Sequence, residues 1–347
     1  MRLNQDAPKL VDLARYTVPV AAVILVVGIL SGLLYVAAEL FLLLFVGILL
    51  SLLLRAVARP LEVRMRPGIA FTLATLVFFA VISAMLLFFV PLLVDGFAQL
   101  VASLPKTVER IGEVLEDHPG AMRAIEDTLG VQGAGIASET LARVSGIFST
   151  VVGVVFALLV VVFTGFYLAA EPDLYRRGLL RLLPLRSRAG AGALLDELGG
   201  MLTRWMFGQF VSMSTIGVLI WLGLSLLGVP LAATLALAAA LLTFIPTIGP
   251  ILAAIPAVLV GFSVEPLLAL WVALLYLVVE SLESYLVTPL VQRQVVHLPP
   301  VLVLGAQLLL AVLYGLLGLF VAAPLTVAFM VLIRRLYVEG VLGDTTG

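Results

Sequence analysis

Residues 205–264 read WMFGQFVSMSTIGVLIWLGLSLLGVPLAATLALAAALLTFIPTIGPILAAIPAVLVGFSV, 60 residues without one Asp, Glu, Lys or Arg. A helix that spans a bilayer needs about 20 apolar residues, because the hydrocarbon core is ~30 Å thick and a helix rises ~1.5 Å per residue. Trp205–Leu227 supplies one such helix, ended by Gly228-Val229-Pro230. The next apolar piece, Leu231–Phe262, would be about 48 Å long as a straight helix, longer than the core it has to cross. Its middle is Phe244-Ile245-Pro246-Thr247-Ile248-Gly249-Pro250. Two prolines and a glycine within five residues do not continue a helix. Backbone broken at membrane depth is tolerated only where protein or a wet cavity satisfies its polar groups. The stretch therefore predicts a spanning helix followed by a broken or re-entrant one.

The rest of the chain agrees. Of 347 residues, 63% are hydrophobic and 12% charged, with a net charge of −1. A soluble domain is nearer 45–50% apolar and about 25% charged. This composition excludes a soluble enzyme and a disordered chain. Without a basic field to grip phosphates, it also excludes a nucleic-acid partner. There is no cysteine and there are two histidines, so disulfides and thiolate metal sites are ruled out. Further charge-free runs lie at Thr17–Ala38, Leu40–Leu54, Gly68–Val94, Val144–Ala170, Pro266–Val279 and Gln294–Ile333. They are continuous and Leu-rich rather than alternating, so they predict helices and not a β-barrel. The first run is too long for a cleavable signal and follows acidic Asp6 and Asp12. The expected fold is an all-α polytopic membrane protein of about eight hydrophobic segments.

Lys and Arg set the orientation. Arg2, Lys9 and Arg15 precede the first run; Arg55, Arg59, Arg64 and Arg66 follow the second. Arg176, Arg177, Arg181, Arg186, Arg188 and Arg204 follow Val144–Ala170, and Arg334 and Arg335 follow the last. If each run crosses once, these fall on one side. That predicts a bacterial inner-membrane protein with both termini cytoplasmic and an acidic external loop. The expected organisation is a three-helix membrane segment over 1–93, an external amphipathic helical loop over 94–146 and a fourth helix over 147–170. An Arg-rich cytoplasmic link over 171–204, a core with broken helices over 205–335 and a tail over 336–347 follow. In the loop, Phe97, Leu100, Val101, Leu104, Val108, Ile111 and Leu115 recur at helical spacing.

Val301–Ile333 repeats the oddity of the opening stretch, with Gly315 and Gly318 near its middle and Pro324 beyond. The second half thus reads twice as a helix plus an over-long broken segment (231–262 and 301–333). If both segments re-enter, the two units have opposite orientation, the inverted-repeat plan of secondary transporters. If they cross once, kinked, there are eight spans. Pro266–Val279 is too short to cross alone, so that helix includes Glu280 and Glu283, which share one face at i,i+3 with Tyr276 and Ser284 beside them. An intramembrane carboxylate is costly and normally faces the bundle interior. With no basic residue in the charge-free runs, its expected partner is a proton, a cation or a cationic ligand. Gln209 and Gln307, within apolar runs, are weaker candidates for substrate contact, since amides there commonly glue helices together.

These residues resemble the autoinducer-2 exporter family of bacterial membrane proteins. Gly208-Gln209 is similar to that family's Gly-Gln, and Phe244–Pro250 to its Phe-Ile-Pro-x-x-Gly-Pro. Leu282-Glu283 with Thr288-Pro289 resembles its Leu-Glu-Gly-Asn-x-x-Thr-Pro-Arg. Pro300, Gly315-Leu316-Leu317-Gly318 and Ala323-Pro324 resemble its last segment. The family's Gly-Asn is here Ser284-Tyr285, and its last Arg is Leu290. The resemblance implies a homo-oligomeric carrier without an ATPase or cofactor. It would export a small polar molecule such as a quorum-sensing signal on a proton or sodium gradient. A sodium/proton antiporter is the alternative within transport, and a non-transporting scaffold the alternative outside it. The substrate or ion path would include Glu280, Glu283, Pro246, Gly249, Pro250, Ser284, Thr288, Gln209 and Gln307. No enzyme is expected, because His118 lies in the external loop and His297 at a membrane edge, and no Walker-type phosphate loop occurs. No resident metal is expected either.

Overall fold

The computed structural model describes residues 7–116, 147–287 and 299–343. Among the described residues there are nine α-helices: α1 Ala7–Glu62, α2 Pro67–Glu116, α3 Ile147–Ala170, α4 Pro172–Arg181, α5 Arg188–Leu226, α6 Ala232–Leu242, α7 Ile248–Val264, α8 Pro266–Leu282 and α9 Pro300–Leu332. No strand occurs among the described residues. The protein is an all-α membrane fold, as its composition requires. Much of its surface is apolar: on α2 alone Leu76, Val77, Val81, Met85, Leu86, Leu87 and Phe88 are exposed. A contiguous apolar face of this size needs lipid or protein to cover it.

Three boundaries differ from the sequence reading. The runs 17–38 and 40–54 lie on one helix, α1, because Glu39 interrupts hydropathy but breaks no helix. A helix of 56 residues is about 84 Å long if straight. Ala7 therefore lies far from Glu62, not beside it as two separate crossings would place it. Helix α2 likewise runs through Asp95-Gly96 into the amphipathic stretch as far as Glu116, without a break at 93/94. The second half of the Arg-rich link is the first half of α5. In its first half, Pro172 opens α4, which leaves α3 at 89°.

The two over-long segments both fold back. At the first, α6 and α7 flank a non-helical tip, Thr243–Thr247, with Thr247 at φ +69°. A Cβ built on Gly249 would lie 1.8 Å from the carbonyl oxygen of Leu242, seven residues earlier. Residues seven apart in a straight helix are about 10 Å apart, so the chain has reversed. At the second, α9 is interrupted at Gly315 (φ +57°, ψ −137°). A Cβ on Gly318 would lie 2.0 Å from the Leu310 carbonyl oxygen, where a straight helix would separate the two by about 12 Å. Both are helical hairpins, and each depends on a glycine pressed against the carbonyl of the opposite arm.

The hairpins enter from opposite ends of the bundle. One end is marked by Arg55, Arg59 and Glu62 on α1 and by the ion pair of Arg335 with Glu197 of α5. That pair fixes the foot of the second hairpin at this Arg-rich end. The first hairpin is anchored at the other end, where Thr234 donates to the carbonyl of Leu92 on α2 (3.3 Å). Helices α5 and α8 run in opposite directions between these ends. Each is followed by its own hairpin, so the two helix-plus-hairpin units are inverted relative to one another.

Because the Gly249 and Gly318 contacts are to backbone, alanine there has nowhere to go. Gly249→Ala and Gly318→Ala are each expected to destabilise the protein by ~1–3 kcal/mol, the usual cost of overpacking. Gly305→Ala, with nothing within 4 Å of its Cβ, serves as the tolerated control. Thermal unfolding of the detergent-solubilised variants checks this. Equal melting temperatures for all three would refute the hairpin packing.

Candidate functional site

The tip of the first hairpin packs against both arms of the second inside the bundle, and the meeting is built from aromatic and amide side chains. Phe244, at the first tip, stacks on Phe320 in the second arm of the other hairpin (centroids 4.0 Å, 13° between planes). Trp205 of α5 packs edge-on against the same ring at 5.8 Å. Around them, Leu49, Met201, Leu202, Val303, Ala323, Val327 and Val331 form a buried cluster that joins α1, α5 and α9. Small residues on α9 let the helices approach closely, which is how packing substitutes for the hydrophobic effect in lipid.

Breaking a helix leaves carbonyls without intrahelical partners. Two buried glutamines meet that need at the first tip. Gln209 on α5 donates from Nε2 to the carbonyl of Thr243 at 2.6 Å. Gln307 on α9 donates from Nε2 to the carbonyl of Pro246 at 2.8 Å. One clamp comes from the helix before the hairpin and one from the opposing hairpin, so the tip is held from both units. Gln307 is completely buried, and its Oε1 has no hydrogen-bond partner among the described residues. An acceptor in that position is set to receive a donor or a cation.

The carboxylates lie one step away on α8. Ser212 of α5 donates its hydroxyl to Glu283 Oε1 at 2.6 Å. Ser212 is three residues from Gln209, so one face of α5 touches both the broken tip and the carboxylate. Glu283 opens a π-helical turn, Glu283–Val287, at the end of α8. Such turns inside α-helices recur at functional sites. Glu280, one turn earlier, is half-buried, and its side chain has no hydrogen bond or ion pair among the described residues. Tyr276, a turn earlier again, is buried with its hydroxyl unpartnered.

The structure thus gathers Gln209, Pro246, Gln307 and Glu283 into one connected region. Gly249 and Pro250 lie in the first turn of α7, where a proline costs no hydrogen bond. Ser284 is exposed on the π turn. Thr288 lies outside the described residues, as do Arg293, His297 and His118. Two participants were missed: Ser212, an ordinary serine in an apolar run, and Thr243, which contributes its backbone. Gln209 and Gln307 were legible as polar residues in apolar runs, but their role is to hold backbone first. Among the described residues no group of three or more acidic or His side chains could hold a metal ion.

Re-entrant hairpins of opposite orientation meeting beside intramembrane carboxylates define a multi-pass membrane transporter. Comparison with known proteins is specific: the model of the AI-2E family transporters matches residues 22–337, and the chain belongs to that family. Its relatives include several named "Putative transport protein". YueF of Bacillus subtilis is 27% identical over 52% of this chain and 49% of its own length. Another, from Thermotoga maritima, is 26% identical over 86% of this chain and 90% of its own length. A third, from Mycobacterium tuberculosis, is 30% identical over 82% and 80%. The chain therefore spans about half the length of YueF and most of the other two.

Replacing Gln209 or Gln307 with leucine leaves a carbonyl of the first tip unpaired in a buried setting. Each change is expected to cost ~1–3 kcal/mol. The double variant should lose less than the sum, because both act on one tip. Thermal unfolding checks this, and strict additivity would separate the two clamps.

Proposed function

We propose that the protein is a secondary carrier of the bacterial cytoplasmic membrane. It exports a small polar molecule, such as a quorum-sensing signal, and is driven by a proton or sodium gradient without ATP. The observation that carries this reading is the pair of inverted hairpins, with the broken tip of the first clamped by Gln209 of α5 and by Gln307 from an arm of the second. Hairpins reaching in from each side supply two gates around one site. The clamps are neutral amides, which suits a neutral polar solute better than a strongly charged one. The Arg-rich end would face the cytoplasm under the positive-inside rule, which places the C-terminal tail there. Family resemblance supports a homo-oligomer, and the reading is of a carrier and not a catalyst.

Coupling would run through Glu283. In the observed arrangement its Oε1 is an acceptor for the Ser212 hydroxyl, so the carboxylate is tied to α5. A change in its charge is felt on α5, one turn from the residue that clamps the first tip. The adjacency of Glu280 and Glu283 favours a second reading, sodium/proton antiport, in which the two carboxylates are themselves the exchange site.

Reconstitution in proteoliposomes tests both. Glu283→Gln is expected to abolish gradient-driven flux and Ser212→Ala to reduce it about tenfold, the equivalent of one charge-assisted hydrogen bond. Sodium-dependent proton movement with no added solute would favour the antiporter. Normal flux in Glu283→Gln would refute a role for the carboxylate in either.

A further inference from the structure

At the Arg-rich end, away from the hairpin tips, α1, α3, α4 and α5 enclose a cavity of about 510 Å³. Its polar wall on α1 is Ser51, Arg55, Arg59 and Glu62, spaced so that they fall on one helical face. Its wall on α5 includes Asp196, Gly199, Gly200 and Thr203, again one face, where two glycines leave the space open. Leu52, Leu168 and Leu195 supply apolar surface between them.

The charges do not cancel. Glu62 is taken by Arg55 at 3.0 Å, and Asp196 by Arg176 at 2.7 Å. Arg55 is further fixed by the Ala170 carbonyl at 3.3 Å and by the ring of Phe71, 5.3 Å from its guanidinium. Its buried Nε still has no acceptor among the described residues. Arg59 lines the cavity and has no acidic partner among the described residues. Donors outnumber acceptors, and one positive charge is left over. A planar fork of this kind matches phosphate oxygens.

The depth of the cavity is marked independently. Pro172, where α4 turns away from α3 at 89°, is part of its wall. Helix α4 alternates Arg176, Arg177 and Arg181 with exposed Leu174 and Leu179. That is the pattern of a helix lying in the plane of the bilayer interface. Basic pockets between helices at this level bind anionic head groups.

We propose that this cavity is a binding site for a phosphate group, held by Arg59 and Arg55 and carried by an anionic phospholipid. The head group sits between the two helical faces, and an acyl chain leaves along the apolar wall. The site is separate from the proposed transport path and does not depend on it.

Native mass spectrometry of the full-length protein in detergent tests the site, with phosphatidylglycerol and phosphatidylethanolamine as probes. Phosphatidylglycerol is expected to be retained in preference. Arg59→Gln, at an exposed position that does not threaten folding, should weaken that retention about tenfold, the loss of one charge-assisted contact. Arg59→Lys should restore part of it. Gly199→Leu should also lose the lipid by filling the cavity, since a Cβ there meets only Leu52 at 3.5 Å. Displacement of the lipid by millimolar inorganic phosphate would support the phosphate site and assign it to a soluble phosphate; resistance to it supports the lipid form. Equal retention of the two lipids, or unchanged retention in both Arg59→Gln and Gly199→Leu, would overturn the proposal.

Discussion

A carbonyl without a hydrogen bond inside a membrane costs several kcal/mol, and the second half of this chain is arranged around that cost. A hairpin that turns at membrane depth has to expose such groups at its tip. Water cannot reach them freely, and lipid offers nothing. The chain answers with Gln209 and Gln307, whose amides reach the Thr243 and Pro246 carbonyls. Because one amide comes from α5 and the other from α9, satisfying the tip also joins the two inverted units. The same hydrogen bonds thus make the break tolerable and place the hairpins against each other.

Packing then makes the junction specific. Phe244 is pinned between Trp205 and Phe320, one ring from each unit. Gly249 and Gly318 allow the arms to approach so closely that even a methyl group would collide with backbone. A hairpin whose arms touch in this way moves as one piece, while the strained Thr247 and the turn at Gly315 are the places where backbone can change. Rigid arms with confined pivots are what a gate requires. On the proposed carrier reading, stability and movement would fall to different residues a few positions apart.

How much of this can be read from the residues depends on which signal carries it. Charge-free length showed the helices, and over-long length with clustered proline and glycine showed the breaks, because both follow from geometry along the chain. Partners do not. Gln209 and Gln307 stand out as polar residues in apolar runs, yet their acceptors are backbone atoms 34 and 61 residues away. Ser212 carries no signal at all, since serine is ordinary in membrane helices. Charge also misleads as punctuation. Glu39 and Asp95 end apolar runs, but a charged side chain does not end a helix, and α1 and α2 pass straight through them. Pro172, by contrast, does mark a sharp change of direction.

The separation of neutral and ionisable polarity in the core follows from the same energetics. Carboxylates at the tip would serve poorly as clamps, because an ionised acid donates no hydrogen bond to a carbonyl and costs far more to bury than an amide. Amides would serve poorly as coupling groups, because they do not change charge. Placing the amides at the break and the acids on α8 lets each do what the other cannot. The two are then linked by the short distance along α5 between Gln209 and Ser212. A turn of helix is stiff, so on the proposed reading a shift that breaks the Ser212–Glu283 bond would move the Gln209 clamp with it. On the proposed reading, a charge event on α8 would reach the first hairpin by two routes, along α5 to the Gln209 clamp and directly through the packing of Val272, Tyr276 and Val279 on α7.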